Sequence, residues 1–383
     1  MAHANTTHLH QKITKKTQNN HDLKDQLTTD QPPTNHRPTT QIPMPENTPP
    51  FDRKLLHPKH WGSWLAVGIL WLLVRVLPYH GLMAIGSGLG RLMKITMPYR
   101  MLVVKTNLEH CFSQSSLNTT DLFNQHVDAL GKGIFEMAMG WFLPAERFAH
   151  KIHFVDDYHV SNALKENRGV LLLGMHTTHI DFGAPMVTLK FPTYFMYRKM
   201  KNPVLDYIVS RRRILHSQGA IEQSNMRALI TQLQAGQCVW YAADQDFGSR
   251  APAVFAPFFG VDAYTLPLYA KIARKTNAAV IPVAGFRNAQ TGQYEIRFLP
   301  EIPTDKLIDE AVAANAMNQA IETLLTGFEA QYYWVHRRFK TRPTGESAFY
   351  PRKPSHIRGD KKALKAQHAE QKKAKKEKNQ PKS

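Results

Sequence analysis

The chain has 383 residues, 43% of them hydrophobic, and a formal net charge of +19. That apolar share supports a real core, and the charge points to an anionic partner: nucleic acid, acidic lipid headgroups or an acidic protein. Only Cys111 and Cys238 occur, far apart and outside any C-x-x-C pattern. This excludes a disulfide framework or a zinc ribbon and suits a domain facing the cytosol.

Residues 1–53 are polar and Pro-rich, without hydrophobic periodicity, and read as disordered. They do not resemble a signal peptide, because the apolar stretch begins only at Trp61 and no small-residue cleavage pattern follows. Residues 54–99 read as a membrane-anchoring helical segment. Trp61 to Val74 carries no charge, and about 21 Å of helix is short of the ~30 Å hydrocarbon core. Extension through Leu77, with Arg75 snorkelling to the interface, makes a marginal N-terminal membrane helix. Leu82 to Met97, with Gly86, Gly88 and Gly90, predicts a second helix packed on the first or on the membrane surface. Amphipathic helices follow in 100–150, the longest from Leu117 to Leu143, whose Met and Phe stripe reads as core.

Strands are then expected at 170–175, 193–197, 238–242, 279–284 and 294–299. Helices are expected near 181–190, 203–216, 225–235, 264–276 and 305–327. The alternation argues an α/β fold with a largely parallel central sheet flanked by helices. The catalytic domain is expected over 100–350. Residues 351–383 form a basic tail, with 12 Lys/Arg against three acids from Arg352 onward.

Val170 to Met175 reads as a buried strand, and it ends at His176, where open α/β sheets bind ligands. His176 and Asp181, spaced H-x4-D, are placed like a base and its orienting carboxylate. Five steps put them ~140° apart on one ideal helix, so His176 must sit on the loop and Asp181 must reach back from the helix. Two other readings are open at this point: polar groups satisfied at a strand end, and a metal site from His176, His179 and Asp181.

Arg198 and Lys199 follow the next strand and lead to Arg211, Arg212 and Arg213. These cations can hold phosphate or carboxylate groups, or form a solvated face. Asp244 and Asp246 follow the strand ending at Ala242. They can bind Mg²⁺, cap the turn, or pair with Arg198 or Arg213, and pairing is preferred because an isolated buried Asp is costly. Ala253 to Gly260 suits the wall of a hydrocarbon-binding groove or a loop that closes the core. Gln331 to Pro343 is aromatic and basic, as suits single-stranded nucleic acid or an anionic membrane interface.

From about Leu55 to Tyr350 the chain resembles the late acyltransferases of lipid A biosynthesis, especially the lauroyl type. The matching segments are 56–61, 107–112, 174–181, Tyr197-Arg198 with Asn202-Pro203, 240–248 and 333–343. The resemblance implies a glycerolipid acyltransferase-like fold and a bacterial inner-membrane enzyme acting at the cytoplasmic face. It implies acyl transfer from acyl carrier protein to the free hydroxyl of a 3-hydroxyacyl chain on a Kdo-bearing lipid A precursor. His176 is then the general base and Asp181 its partner, with Arg198, Arg213, Asp244 and Asp246 toward substrate. The thioester drives the reaction, so no metal or diffusible cofactor is implied. One departure is Asp181, where lauroyl-type members usually carry Glu.

The nearest rival keeps the chemistry and changes the acceptor to glycerol phosphate or a lysophospholipid. A rival from another class is a membrane-tethered nucleic-acid-binding protein; the expected partners are instead the carrier protein, the lipid A precursor and the membrane, with no specific nucleic acid.

Overall fold

The computed structural model describes residues 50–351 except 216 and 250. The polar head to residue 49 and the Lys-rich stretch from Arg352 lie outside the described residues.

The helices are α1 (Trp61–Val76), α2 (Tyr79–Thr96), α3 (Pro98–Phe112), α4 (Thr119–Phe142), α5 (Tyr158–Lys165), α6 (Ile180–Met186), α7 (Pro203–Leu215), α8 (Met226–Gln234), α9 (Leu268–Thr276) and α10 (Glu310–Leu325). The strands are β1 (Ile152–Val155), β2 (Val170–Gly174), β3 (Thr193–Tyr197), β4 (Gly219–Glu222), β5 (Cys238–Ala242), β6 (Val254–Phe258), β7 (Val261–Thr265), β8 (Ala279–Arg287) and β9 (Tyr294–Phe298). Among the described residues, one sheet has the order β1-β9-β8-β2-β5-β3-β4 and β6-β7 is a separate hairpin. Every neighbouring pair in the large sheet is parallel except β8–β9. The expected α/β architecture is therefore present.

A parallel strand covered on both faces must be apolar on both. β2 meets that demand: Leu171 and Leu173 belong to one core cluster, Val170 and Leu172 to the other. β8 changes partner along its length. It pairs with β2 as far as Pro282 and with β9 from Val283 onward. Proline has no N–H to continue the first ladder, so the sheet parts there, beside the loop that follows β2.

Several elements differ from expectation. β1 and β4 are four-residue strands too short to carry a period-2 signal. Val261–Thr265, partly assigned to a helix by its pattern, is a strand because it closes the β6-β7 hairpin. The aromatic segment 253–260 lies in this hairpin and turn; Phe258 is fully buried, so the segment closes the core.

The N-terminal membrane helix is corrected. No helix among the described residues is long and apolar enough to cross a membrane. α1 rises only about 24 Å, and Pro78 prevents its fusion with α2. α1 instead carries Trp61, Leu65, Ile69, Leu72 and Val76 exposed at helical spacing. α2 packs principally on α4: a Cβ at Gly90 would meet the Val127 carbonyl oxygen at 2.3 Å.

Candidate active site

The β2–β5 register sets up the site. Gly174 stands opposite Ala242, so the residues two further on, His176 and Asp244, emerge side by side at the carboxyl edge. His176 Nδ1 lies 2.6 Å from Asp244 Oδ1, and the His176 backbone N–H donates to Oδ2 at 3.0 Å. One carboxylate thus fixes both the ring and the backbone of the histidine. With a carboxylate on Nδ1, that nitrogen donates and Nε2 carries the lone pair. Asp244 is buried. Burial raises its carboxyl, but the charge and hydrogen bonds of His176 outweigh it and hold the group well below the usual carboxylate range.

The expected His176–Asp181 pair does not form. Asp181 Oδ1 accepts from Arg213 Nε at 3.0 Å and Nη2 at 2.5 Å. The reason is geometric: Asp181 lies in the first turn of α6, and Arg213, in the last turn of α7, reaches it. The preferred partners of Asp244, Arg198 or Arg213, are likewise replaced by His176. Asp246 turns away from the cleft, and both its oxygens hold Thr341, at 2.6 Å to the backbone N–H and 2.9 Å to the hydroxyl. Asp246 thus fastens the segment around Thr341. Arg198 is exposed and lines the mouth of the cavity described below. The three residues of the metal reading face apart, since His179 is fully buried with Nδ1 3.9 Å from Glu136 Oε2.

Two structures hold the histidine loop. Behind it, residues 331–333 pair with it. Tyr333 N–H donates to the His176 carbonyl, and Thr178 N–H donates to the Gln331 carbonyl, both at 2.9 Å. Tyr332, Trp334, Arg338 and Phe339 are almost wholly buried. The aromatic–basic segment is therefore a brace rather than a surface for nucleic acid or membrane. Beneath the loop runs α4. Cβ atoms at Gly133 and Gly140 would come within 2.2 and 2.3 Å of the carbonyl oxygens of Thr178 and Asp181.

Sequence reasoning also missed a buried charge network on α4. Glu136 pairs with Arg287 Nη1 at 2.5 Å and accepts from the Tyr294 hydroxyl at 2.6 Å. Burial raises the Glu136 carboxyl, but Arg287 and His179 bring it below the ordinary value. The available signal was a glutamate inside an apolar stripe.

A cavity of about 340 Å³ opens beside His176, walled by Met196, Met226, Trp240 and Leu268, with Arg198 and Gln245 as polar members. That volume lies within the range of small-molecule sites. His336 stands behind the site, its ring 5.5 Å from that of His176. Burial and the neighbouring His176 push it down to about 4, so it adds no charge at neutral pH.

A histidine oriented by a buried carboxylate, at the sheet edge and open to a cavity, has the geometry of a group that can take a proton from a hydroxyl. Residues 48–341 match the family model described as bacterial lipid A biosynthesis acyltransferase. The lipid A biosynthesis lauroyltransferase of Escherichia coli (strain K12) is 33% identical over 306 residues, 79% of this chain and 99% of that protein. The palmitoleoyltransferase of the same organism is 34% identical over 78% of this chain and 98% of its own length. A lipid A biosynthesis acyltransferase of Haemophilus influenzae is also 34% identical, over 78% and 96%. The chain belongs to the bacterial lipid A biosynthesis acyltransferase family, and it is an O-acyltransferase.

Proposed function

We propose that this enzyme transfers a fatty acyl chain, lauroyl in the first instance, from acyl carrier protein to a Kdo-bearing lipid A precursor. The accepting group is the free hydroxyl of a 3-hydroxyacyl chain, and the site works at the cytoplasmic face of the bacterial inner membrane. The observation that carries the reading is the 2.6 Å contact of His176 Nδ1 with buried Asp244 beside an apolar cavity. His176 Nε2 takes the hydroxyl proton as the oxygen attacks the thioester carbonyl. Asp244 stabilises the imidazolium that forms. The tetrahedral oxyanion collapses, the C–S bond breaks, and the departing thiolate takes the proton back from Nε2. The Gln245 amide, which lines the cavity and lies 3.3 Å from His336 Nε2, is one side-chain donor for the oxyanion. The thioester supplies the driving force, so the reaction as written calls for no cofactor.

The positive net charge fits an acidic carrier and a phosphorylated acceptor. The exposed stripe of α1 supports seating in the membrane interface without a span.

The test is acyl transfer in detergent micelles, with carrier proteins loaded with chains of different length and a Kdo-bearing tetraacyl acceptor. Wild type should transfer and His176→Ala should lose at least about a hundredfold. Transfer to lysophospholipid alone would move the enzyme to the glycerolipid branch, and undiminished transfer by His176→Ala would remove the histidine base.

A further inference from the structure

We propose that Arg75 and Arg212, with the charge of Arg211 next to them, form a subsite for the phosphate groups of the lipid acceptor, at the end of the α1–α7 pair. The proposal rests on the function above and deepens it.

The placement follows from the two helices. The Asn202 side-chain amide donates to Ser63 Oγ at 2.8 Å, and Phe51 packs on Tyr207 with ring centroids 5.5 Å apart. α1 and α7 therefore start side by side. Along one axis Ser63 and Arg75 are separated by about 18 Å, and along the other Asn202 and Arg212 by about 15 Å. These similar rises place the arginines near the carboxyl ends of two helices, where the helix dipoles favour cations, and Arg75 and Arg211 act on Arg212 as neighbouring like charges.

Each guanidinium lies against an aromatic ring. Arg75 is 4.9 Å from Trp71, Arg211 5.4 Å from Tyr207 and Arg212 5.8 Å from Phe142. Stacking restrains Arg75 and Arg212 while leaving their edge N–H donors to an oxyanion. Among the described residues, neither Arg75 nor Arg212 has a carboxylate within ion-pair distance. Burial of Arg212, with Arg211 and Arg75 as like charges near it, weakens its hold on its proton. A cluster of like charges under such repulsion is relieved by an anion.

Two features select the occupant. Arg213, the next residue of α7, holds Asp181 on the helix that leads out of the His176 loop, so the helix that carries the cluster is tied to that loop. Arg75 also closes the exposed apolar stripe of α1, which sets a phosphate-binding group at the headgroup level of a lipid whose chains lie along that stripe. A phosphorylated glycolipid meets both conditions at once.

The experiment measures steady-state transfer by the full chain in neutral detergent micelles, for wild type, Arg75→Gln, Arg212→Gln and the double variant. The acceptor is supplied with its phosphates or stripped of them. Loss of charge-assisted bonds should raise the acceptor KM about tenfold or more in the double variant. The donor KM should hold, and the difference from wild type should vanish on the stripped acceptor. Arg75 is exposed, so its single variant keeps the test valid if Arg212→Gln folds poorly. An unchanged acceptor KM, or equal losses on both acceptors, overturns the proposal. So does an unchanged acceptor KM together with weaker flotation on anionic phospholipid vesicles, which assigns the cluster to bulk lipid. If wild type transfers nothing to the glycolipid, the function fails separately. Fluorescence titration of His176→Ala with the phosphorylated lipid, with and without the two arginines, then decides the subsite: weaker binding without them supports it, and equal binding overturns it.

Discussion

Asp244 and Asp181 do different work although both stand near His176. Asp244 touches the imidazole, so Asp244→Asn frees the tautomer that the carboxylate fixes. The expected fall in kcat is on the order of 10³–10⁴, by analogy with the loss of the orienting carboxylate in other histidine-based sites. Asp181 touches Arg213 instead, so Asp181→Asn perturbs the loop at one remove and should cost roughly tenfold to a hundredfold. Single-turnover transfer with preloaded carrier separates the two; a larger loss in Asp181→Asn would restore the pairing expected from the H-x4-D spacing. That expectation shows where reading a sequence stops. His176, the strand before it and the acidic turn after β5 were all legible, because each follows an apolar run. The partnership was not, because it depends on the β2–β5 register across 68 residues of chain. Once that register is known, the shared two-residue offset from each strand end gives the pair directly.

At the scale of elements, α4 determines how well the histidine loop is held. Its glycines leave no room above them, so Gly140→Ala must push the Asp181 carbonyl away. Overpacking of this kind costs about 1–3 kcal/mol, and a shift of about 1 Å at the loop can cost a hundredfold in kcat. Gly88→Ala on α2 is the matched control: nothing lies within 4 Å of its Cβ. It should keep full activity and gain up to about 1 kcal/mol from helix propensity. Thermal unfolding and kcat measured together check both. The helices and strands of the sheet were readable from their periods, whereas these helix-to-loop contacts were not. A glycine inside an amphipathic helix says that something approaches closely, but not what. The aromatic–basic segment 331–343 was misread for a related reason. Its composition suits a surface, whereas the bridge from Thr177 to Tyr332 and the burial of Trp334 and Phe339 show that it is folded inward.

Across the whole molecule, buried neutral histidines make the protein sensitive to mild acid. His126 is fully buried, its Nδ1 donates to the Ala330 carbonyl at 2.7 Å, and burial pushes it down to about 4. An unfolded histidine takes its proton near pH ~6.5. Between about 6.5 and 4 the unfolded chain therefore binds more protons, and stability falls as pH falls. Across that whole window His126 alone accounts for on the order of 3 kcal/mol. His179 and His336 act in the same direction. The depressed carboxyls of Asp244 and Glu136 act in a lower window: their stabilisation is present above about pH 4 and is lost as pH drops toward their folded values. Urea midpoints at pH 7.5, 6 and 5 should decline steadily, and His126→Asn, whose amide can replace the Nδ1 donor, should flatten the slope.

The brace behind the histidine loop also sets the order in which the protein can become competent during its own synthesis. α1, with its exposed apolar stripe, leaves the ribosome before His176 and Asp244. The hydrogen bonds that fix the loop come from Gln331 and Tyr333, and the clasp on Asp246 comes from Thr341. The apolar stripe of α1 is therefore made while the histidine loop is still slack. A chain cut short before residue 331 would therefore carry both His176 and Asp244 and still lack the hydrogen bonds that hold their loop.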